Sequence, residues 1–488
     1  MINTDRQKDV INKIIEIENT FPVNEWVVDD IKFWPFIRTS LAYTQRYEKK
    51  IKKVTNKARK NIYINFFKKI WVIPSSIINC LYQLKKADRL FVGTKSHRRF
   101  IHGKWVNIYF DNIIPILNKV NSASIMIDSG SNLSKADLVN NSIWYSIMPL
   151  YAWVKLKGIF VGDRAEIKLP EYNKFYKHIL QHFDSPEILK LGFSEEAIRR
   201  KMNDFHKRRN FWLAHLSKSK IKNTYFLCYY SSLIYPLISA CNKLGINTID
   251  VQHGGMGKGH CSYDRWTKIE SEGYCLLPKF FWTWDEKSKD LITQWANESK
   301  FHKAICFGTP WNTLNSNAEP NITESGRDYI LYNMANATLE DYLIETFKHF
   351  GEKEIDIVLR LHPRQIFLSE KITREIVQYG LQQYVRLEDS NLVSLQKSVQ
   401  NCKVMISVSS GSILEAMQMG IKPILLPSVG FDYYDEYIKE EKVLPLLSRK
   451  SSDLIELINI NLEEPIDQNA KSTLNFNSNF LSEFESNF

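Results

Sequence analysis

Three stretches of the chain place acid–base or anion-binding residues directly after an apolar run. The densest is Ile406-Ser-Val-Ser-Ser-Gly-Ser-Ile-Leu-Glu-Ala416. The run ends at Val408. Ser409, Ser410, Gly411 and Ser412 then open a helix that the pattern carries through Leu414, Met417 and Met419 to Gly420. The first N–H groups of a helix lack backbone partners, and its dipole favours an anion. Small hydroxyl side chains let phosphate oxygens come close and add donors. Glu415, one turn in, is placed to accept from ribose hydroxyls. Ser409 as a simple helix cap is the alternative, but a Ser-Ser-Gly-Ser run exceeds what a cap needs, so a phosphate site is expected here.

The second stretch is Leu359-Arg-Leu-His-Pro-Arg364. Pro363 ends the strand pattern, leaving His362 at its tip. Histidine can donate to phosphate whether neutral or charged. Arg360 and Arg364 flank it with guanidinium groups suited to bidentate anion recognition. A satisfied core histidine is the competing reading. The third stretch is Asp250-Val-Gln-His-Gly-Gly-Met-Gly-Lys-Gly-His260. Its glycines permit close approach of a ligand or a moving loop, and His253 is the candidate general base. Lys258 and His260 add positive charge. The glycine spacing is not the dinucleotide fingerprint, which opens a helix after the first strand of its unit. A plain glycine turn is the alternative. Lys95-Ser-His-Arg-Arg99 and Asp128-Ser-Gly130 follow two further strands. Asp128 is the best-placed carboxylate for base or nucleophile work in its half of the chain, with a turn-forming Asp as the equal alternative.

These motifs need elements to hold them. Short apolar runs recur from Leu90 onward, most of them ending in or running straight into Gly, Ser, Asp or His, with helical stretches after them. Examples are Ser124–Asp128, Tyr225–Tyr230, Thr248–Gln252, Phe280–Trp284, Ile355–Leu361 and Val404–Val408. Buried strands alternating with helices predict parallel sheets covered on both faces. The runs are too many for one sheet, so the fold class is α/β with two Rossmann-like domains and a helical, basic N-terminal extension. The expected division is a helical basic region over 1–87, a first Rossmann-like domain over 88–312 that takes the acceptor, a polar linker over 313–327, a nucleotide-binding domain over 328–470 and an Asn/Ser/Phe-rich tail over 471–488. Ligands of such sheets bind outside the carboxyl ends of the strands, where all the motifs above fall.

The 488 residues are 44% hydrophobic and 24% charged, a globular composition that excludes a disordered chain. Seven widely spaced cysteines without a C-x-x-C pair argue against a disulfide framework or a zinc ribbon and fit a reducing cytosol. No apolar run is long enough to span a bilayer, and residues 1–10 do not read as a signal peptide. The net charge of +11 is concentrated: Arg46 to Lys104 carries 17 Lys/Arg against Glu48 and Asp88. Tyr63, Phe66, Phe67 and Trp71 are interleaved with this charge. Residues 46–75 are therefore expected to lie on an anionic membrane surface, in preference to nucleic acid or to being a solvated helix.

A two-domain chain with Gln252-His253-Gly254 in its middle, a Leu361-His362-Pro363 strand end and a Ser409-Ser410 strand end resembles the GT-B transferases of bacterial surface polysaccharides. Capsule-type β-Kdo transferases, polysialyltransferases and CDP-glycerol glycerophosphotransferases share parts of the pattern. The resemblance covers roughly residues 250–430 well, and residues 1–220 only in outline. It implies a glycosyltransferase that uses a nucleotide-sugar donor, CMP-linked and Kdo- or sialic-acid-like, to build a capsule or lipopolysaccharide glycan. His362 would then contact the nucleotide phosphate, Ser409 and Ser410 would hold its phosphates, and Glu415 would meet ribose. His253 matches the catalytic His-Gly of the polyol-phosphate transferases. The acidic motif of sialyltransferases has no clear match, since Asp128-Ser-Gly130 is a poor copy. The resemblance also implies a glycan or lipid-linked acceptor, and with it a place in the cytoplasm at the inner face of the membrane. No Asp-x-Asp pair stands at a strand end, so no metal and no separate cofactor is expected. A polyol-phosphate transferase, a nucleotide-sugar epimerase and a non-catalytic binding scaffold stay open as alternatives.

Overall fold

The computed structural model describes residues 5–46, 73–101, 103–117, 124–130, 138, 144–160, 164–309, 329–334, 338–390, 392–400, 402–428, 430–464 and 478–486. The chain opens with a helix, Asp5–Thr20, a two-residue hairpin of β1 (Val27–Val28) and β2 (Ile31–Lys32), and helices Trp34–Arg46 and Ile73–Lys86. The first large sheet starts at β3 (Arg89–Val92). A side hairpin, β4 (Arg98–Ile101) and β5 (Lys104–Asn107), precedes β6 (Ser124–Asp128) and β7 (Trp144–Ser146). Strand β8 (Ile167–Lys168) returns to pair with β1. The sheet is completed by β9 (Asn223–Phe226), β10 (Asn247–Val251), β11 (Phe280–Thr283) and β12 (Lys303–Cys306). Its order is β12-β11-β10-β9-β3-β6-β7, parallel throughout.

The second sheet holds β13 (Tyr329–Met334), β14 (Asp356–Leu361), β15 (Val385–Glu388), β16 (Cys402–Ser407), β17 (Ile424–Leu425) and β18 (Leu444–Pro445). Its order is β15-β14-β13-β16-β17-β18, again parallel. The chain thus forms two Rossmann-like domains with a helical N-terminal part. Every residue of β9, β10, β11 and β13 is buried, as a parallel sheet covered by helices on both faces requires.

The N-terminal helices share the first domain's core. Ile14, Ile17, Trp34, Ile37, Leu41 and Leu84 pack in one apolar cluster with Leu90, Val92, Ile127 and Phe281. Within it Arg38 lies over the Trp266 ring, 4.0 Å from its centroid, and 3.3 Å from buried Glu18, which also accepts from Trp34 Nε1. On the other sheet face, Phe91, Tyr225, Ile249 and Trp282 join Ile413, Leu414, Tyr433 and Tyr434 of the second domain. The two domains therefore meet through apolar contact as well as through the chain.

Several expectations change in detail. The run Tyr225–Tyr230 stops being strand at Phe226, because Cys228 takes a left-handed backbone, φ 58°. The helix after the serine loop spans only Ser412–Gln418. The Asn/Ser/Phe-rich tail contains a helix, Ser478–Ser486, whose Leu481 and Phe484 are buried against the first domain. The basic segment 46–75 and the linker 313–327 fall outside the described residues, apart from the helix ends at Arg46 and Ile73. Among the described residues no helix is long and apolar enough to cross a membrane.

Candidate active site

In each sheet the chain builds outward from a central strand, then returns to its other side. The reversal falls between β3 and β9 in the first sheet and between β13 and β16 in the second. Loops leaving such a pair diverge to opposite faces and leave a crevice. A cavity of about 580 Å³ joins the two crevices and is lined from both domains.

The first-domain wall is built by the loops after β3, β9 and β10. The turn after β9 presents Cys228, whose Sγ lies 3.0 Å from His253 Nε2 and 4.0 Å from His97 Nε2. Tyr230 Oη is 3.2 Å from the same His253 nitrogen. His97 ends a short turn after β3, with its Nδ1 3.2 Å from Thr94 Oγ1. Tyr109 Oη donates to the His253 carbonyl at 3.0 Å and fixes the loop from the other side. Gln252 is fully buried; its amide donates to the Gly254 carbonyl and its oxygen accepts from Trp284 N–H. In the Gln-His-Gly triplet the Gln therefore shapes the loop, while the His lines the cavity.

The glycines that follow serve contact between domains. A Cβ on Gly257 would fall 2.2 Å from the Tyr433 carbonyl oxygen. Lys258, expected to add charge to the crevice, instead reaches Asp435 and Glu436 of the second domain at 3.4 and 3.2 Å. His260 does line the cavity, as does Arg99 of the basic loop after β3.

The second-domain wall carries Ser409, Ser410, Gly411, Ser412, His362 and Glu415 together, as the sequence predicted. Asn333, at the end of β13, donates to Ser412 Oγ at 2.5 Å, and Tyr434 Oη donates to the Ser410 carbonyl at 2.8 Å. A seven-residue helix has little dipole to offer, so the capacity to hold an anion rests on the hydroxyls and the His362 imidazole. Gln396 Nε2 donates to Glu415 at 2.6 Å. Burial nevertheless pushes the Glu415 carboxyl up to about 7.

Some expected site residues are committed elsewhere. Arg360 touches the cavity, but its guanidinium is buried and binds Glu388, Ser398 Oγ and the Val393 carbonyl. It holds the loop after β15 in place and leaves no fork for a phosphate. The Arg364 side chain lies outside the described residues. Asp128, expected as a base, is buried in a two-pronged ion pair with Arg98 and accepts from Gly130 N–H. It is not among the cavity-lining residues. Asp250 and Asp264, the carboxylates on either side of the His-Gly loop, are also buried and are not among the cavity-lining residues. Asp250 accepts from Tyr263 Oη and Tyr229 N–H, and Asp264 accepts from Gly259 N–H.

Cys228, Tyr230, Tyr43 and Tyr109 line the cavity and carried no signal as site residues. Cys228 and Tyr230 sit inside what reads as an uninterrupted strand. Tyr43 lies on the helix Trp34–Arg46, far from any strand end in sequence. The Ser390–Leu395 loop on the second wall was missed because β15, Val-Arg-Leu-Glu, has too little apolar pattern to mark a strand.

No protein-family model matches the sequence, and no curated protein matches it. Among solved structures the chain is similar in outline to UDP-GlcNAc 2-epimerase from Methanocaldococcus jannaschii, at 12% identity and a TM-score of 0.48 over 82% of this chain and 99% of that one. The Rickettsia bellii UDP-N-acetylglucosamine 2-epimerase gives 10% and 0.47 over 82% and 96%. MurG of Acinetobacter baumannii gives 10% and 0.40 over 82% and 100%. Likeness at this level concerns the arrangement of the two sheets and not a reaction.

Proposed function

We propose that the chain transfers a glycosyl group from a nucleotide-activated sugar to an acceptor hydroxyl. The observation that carries this reading is a cavity that joins both strand-reversal points, with hydroxyls and an imidazole on one wall and a His–Cys–Tyr cluster on the other. The donor nucleotide sits on the second domain. Ser409, Ser410 and His362 donate to its phosphate, and Glu415 faces its ribose. As the acceptor oxygen attacks the anomeric carbon, the bond from that carbon to the phosphate oxygen breaks and the phosphate leaves with the electron pair. Fixed donors aimed at that growing charge are the largest single contribution a protein can make to such a step. The acceptor proton goes to the cluster around His253.

The donor is proposed to be CMP-linked, Kdo- or sialic-acid-like, and the product a surface polysaccharide. Calorimetric titration with CMP, CDP and UDP, followed by donor turnover with and without candidate acceptors, tests this. Tightest binding of CMP and donor loss only with acceptor support the reading. Sugar interconversion without acceptor would instead identify an epimerase. Transfer of a polyol phosphate from a CDP-linked donor would identify the polyol-phosphate alternative. Nucleotide binding with no turnover would leave a binding scaffold.

We also propose that the first domain rests on an anionic membrane, with the acceptor carried on lipid. Helices Ile73–Lys86 and Ile147–Phe160 pack side by side. Lys85 and Lys86 stand in the last turn of the first helix and Lys157 in that of the second. Ile78, Tyr82, Met148, Trp153 and Leu156 project outward from the pair as exposed apolar side chains. Apolar bodies rimmed by lysines suit a headgroup boundary, and the first helix continues directly from the basic segment 46–75.

A further inference from the structure

We infer that His97, Cys228 and His253 form a three-ligand site for Zn2+ on the first-domain wall, open toward the cavity. One ligand atom from each of the three residues lies within 4.8 Å of the other two. Tetrahedral zinc with ordinary bond lengths separates a sulfur from a nitrogen ligand by about 3.6 Å and two nitrogens by about 3.4 Å. The two sulfur–nitrogen separations, 3.0 and 4.0 Å, bracket that value. The spread of the three atoms is therefore close to what one tetrahedral ion requires.

Three independent features favour a built site over a chance meeting. First, the ligands come from three different loops, after β3, β9 and β10, which converge at the point where the first sheet reverses direction. Second, Cys228 is held at φ 58°, a left-handed conformation that carries a strain cost for a non-glycine residue. The turn presents the sulfur to the two imidazoles in spite of that cost, and retained strain of this kind concentrates where a side chain must be aimed. Third, Thr94 Oγ1 stands 3.2 Å from His97 Nδ1. With Nδ1–H donating to that hydroxyl, the Nε2 lone pair is directed at Cys228, the outer-shell arrangement that orients a metal-bound histidine. A thiolate with two imidazoles is a zinc donor set, and three protein ligands leave a fourth position for an exchangeable oxygen.

The site departs from the sequence expectation of no metal. Its use rests on the transfer reading: an acceptor hydroxyl taken into the fourth position would be polarised there, and His253 would act by holding the ion. Its existence does not rest on that reading.

The test uses the full chain freed of metal with a chelator, then titrated with Zn2+ and separately with Co2+. One ion per chain is expected, with a thiolate-to-cobalt charge-transfer band in the near ultraviolet. Cys228→Ser should abolish that band, and Cys228→Ser and His97→Ala should each weaken Zn2+ binding at least tenfold. No band in the wild-type chain, or unchanged Zn2+ affinity in Cys228→Ser, overturns the site. The wild-type spectrum decides the matter even if His97→Ala, a buried position, fails to fold. Nucleotide titration of the same preparations reports on the opposite wall. Nucleotide binding without metal binding would reject this site and leave the transfer reading standing; metal binding without nucleotide binding would do the reverse.

Discussion

Gly411 of the serine loop meets Gly254 of the His-Gly loop backbone to backbone: a Cβ on Gly411 would lie 2.8 Å from the Gly254 Cα. The two loops that carry the proposed chemistry thus touch across the domain boundary. The contact is asymmetric, because a Cβ on Gly254 would meet nothing within 4 Å. Gly411→Ala should therefore push the loops apart, lowering stability by about 1–3 kcal/mol as overpacking does and weakening nucleotide binding. Gly254→Ala should stay within about 0.5 kcal/mol of wild type. Denaturant melts and calorimetry of the pair check this; equal effects of the two substitutions would contradict the contact.

His362→Ala and Ser410→Ala should each weaken nucleotide binding by about 1–3 kcal/mol, the scale of one hydrogen bond to a charged group. Arg360→Lys gives the contrast. Its partners are Glu388, Ser398 and the Val393 carbonyl, so it should cost folding stability before it costs affinity. Calorimetry beside thermal melts separates the two classes, and unchanged affinity in both wall variants would remove the phosphate site.

His253→Ala should lower turnover by a factor of at least ~100, the usual range for loss of a group that takes the acceptor proton and equally the loss expected if it holds an ion that polarises the acceptor hydroxyl, while the melting temperature stays near that of wild type. The side chain meets Cys228 and Tyr230 at the cavity wall and lies outside the apolar clusters. A large fall in stability with activity retained per folded molecule would show a structural histidine.

Burial pushes the Asp250 carboxyl up from 3.8 to about 8. Between those values the unfolded chain is ionised while the folded chain holds its proton. The folded state thus binds more protons, and stability from this group falls as pH rises through the window. Asp250→Asn removes the titration. Its melting temperature relative to wild type should climb from near parity at about pH 4 to its largest advantage at about pH 8. A difference that does not grow with pH would refute the buried neutral acid.

Flotation on vesicles containing phosphatidylglycerol should be strong at low salt and weak at high salt, since surface charge attraction is screened. Ile78→Ser with Trp153→Ser should reduce it severalfold, and so should charge reversal at Lys49, Lys50, Lys52 and Lys53. Undiminished flotation in the first variant would remove the helix pair from the contact; equal flotation on neutral vesicles would remove the electrostatic part.

Much of the fold was legible because parallel strands buried on both faces leave continuous apolar runs, and because the residue ending each run is polar. That is why His253, His362 and the serine loop were found and do share one cavity. Short strands such as β7 and β18 are too brief to leave a pattern. A left-handed turn at Cys228 has no sequence mark when no glycine or asparagine fills it. The ion pairs that occupy Asp128 and Arg360 were not legible for a different reason. A strand-end position says where a side chain starts, and says nothing of an Arg98 or a Glu388 arriving from a distant segment to neutralise it.

The helix Ser478–Ser486 lies after the whole second domain in the chain, yet it completes the first. Phe484 packs on Phe280 and Phe307, and Glu485 binds Arg89 and the Tyr225 hydroxyl, both on strands formed from the front of the chain. During synthesis from the front end, Phe280, Phe307 and the Arg89 guanidinium must therefore wait for their partners until residues 478–486 have left the ribosome. Closure of the early half becomes a late event, and the two halves are tied into one cooperative unit by a strap of nine residues.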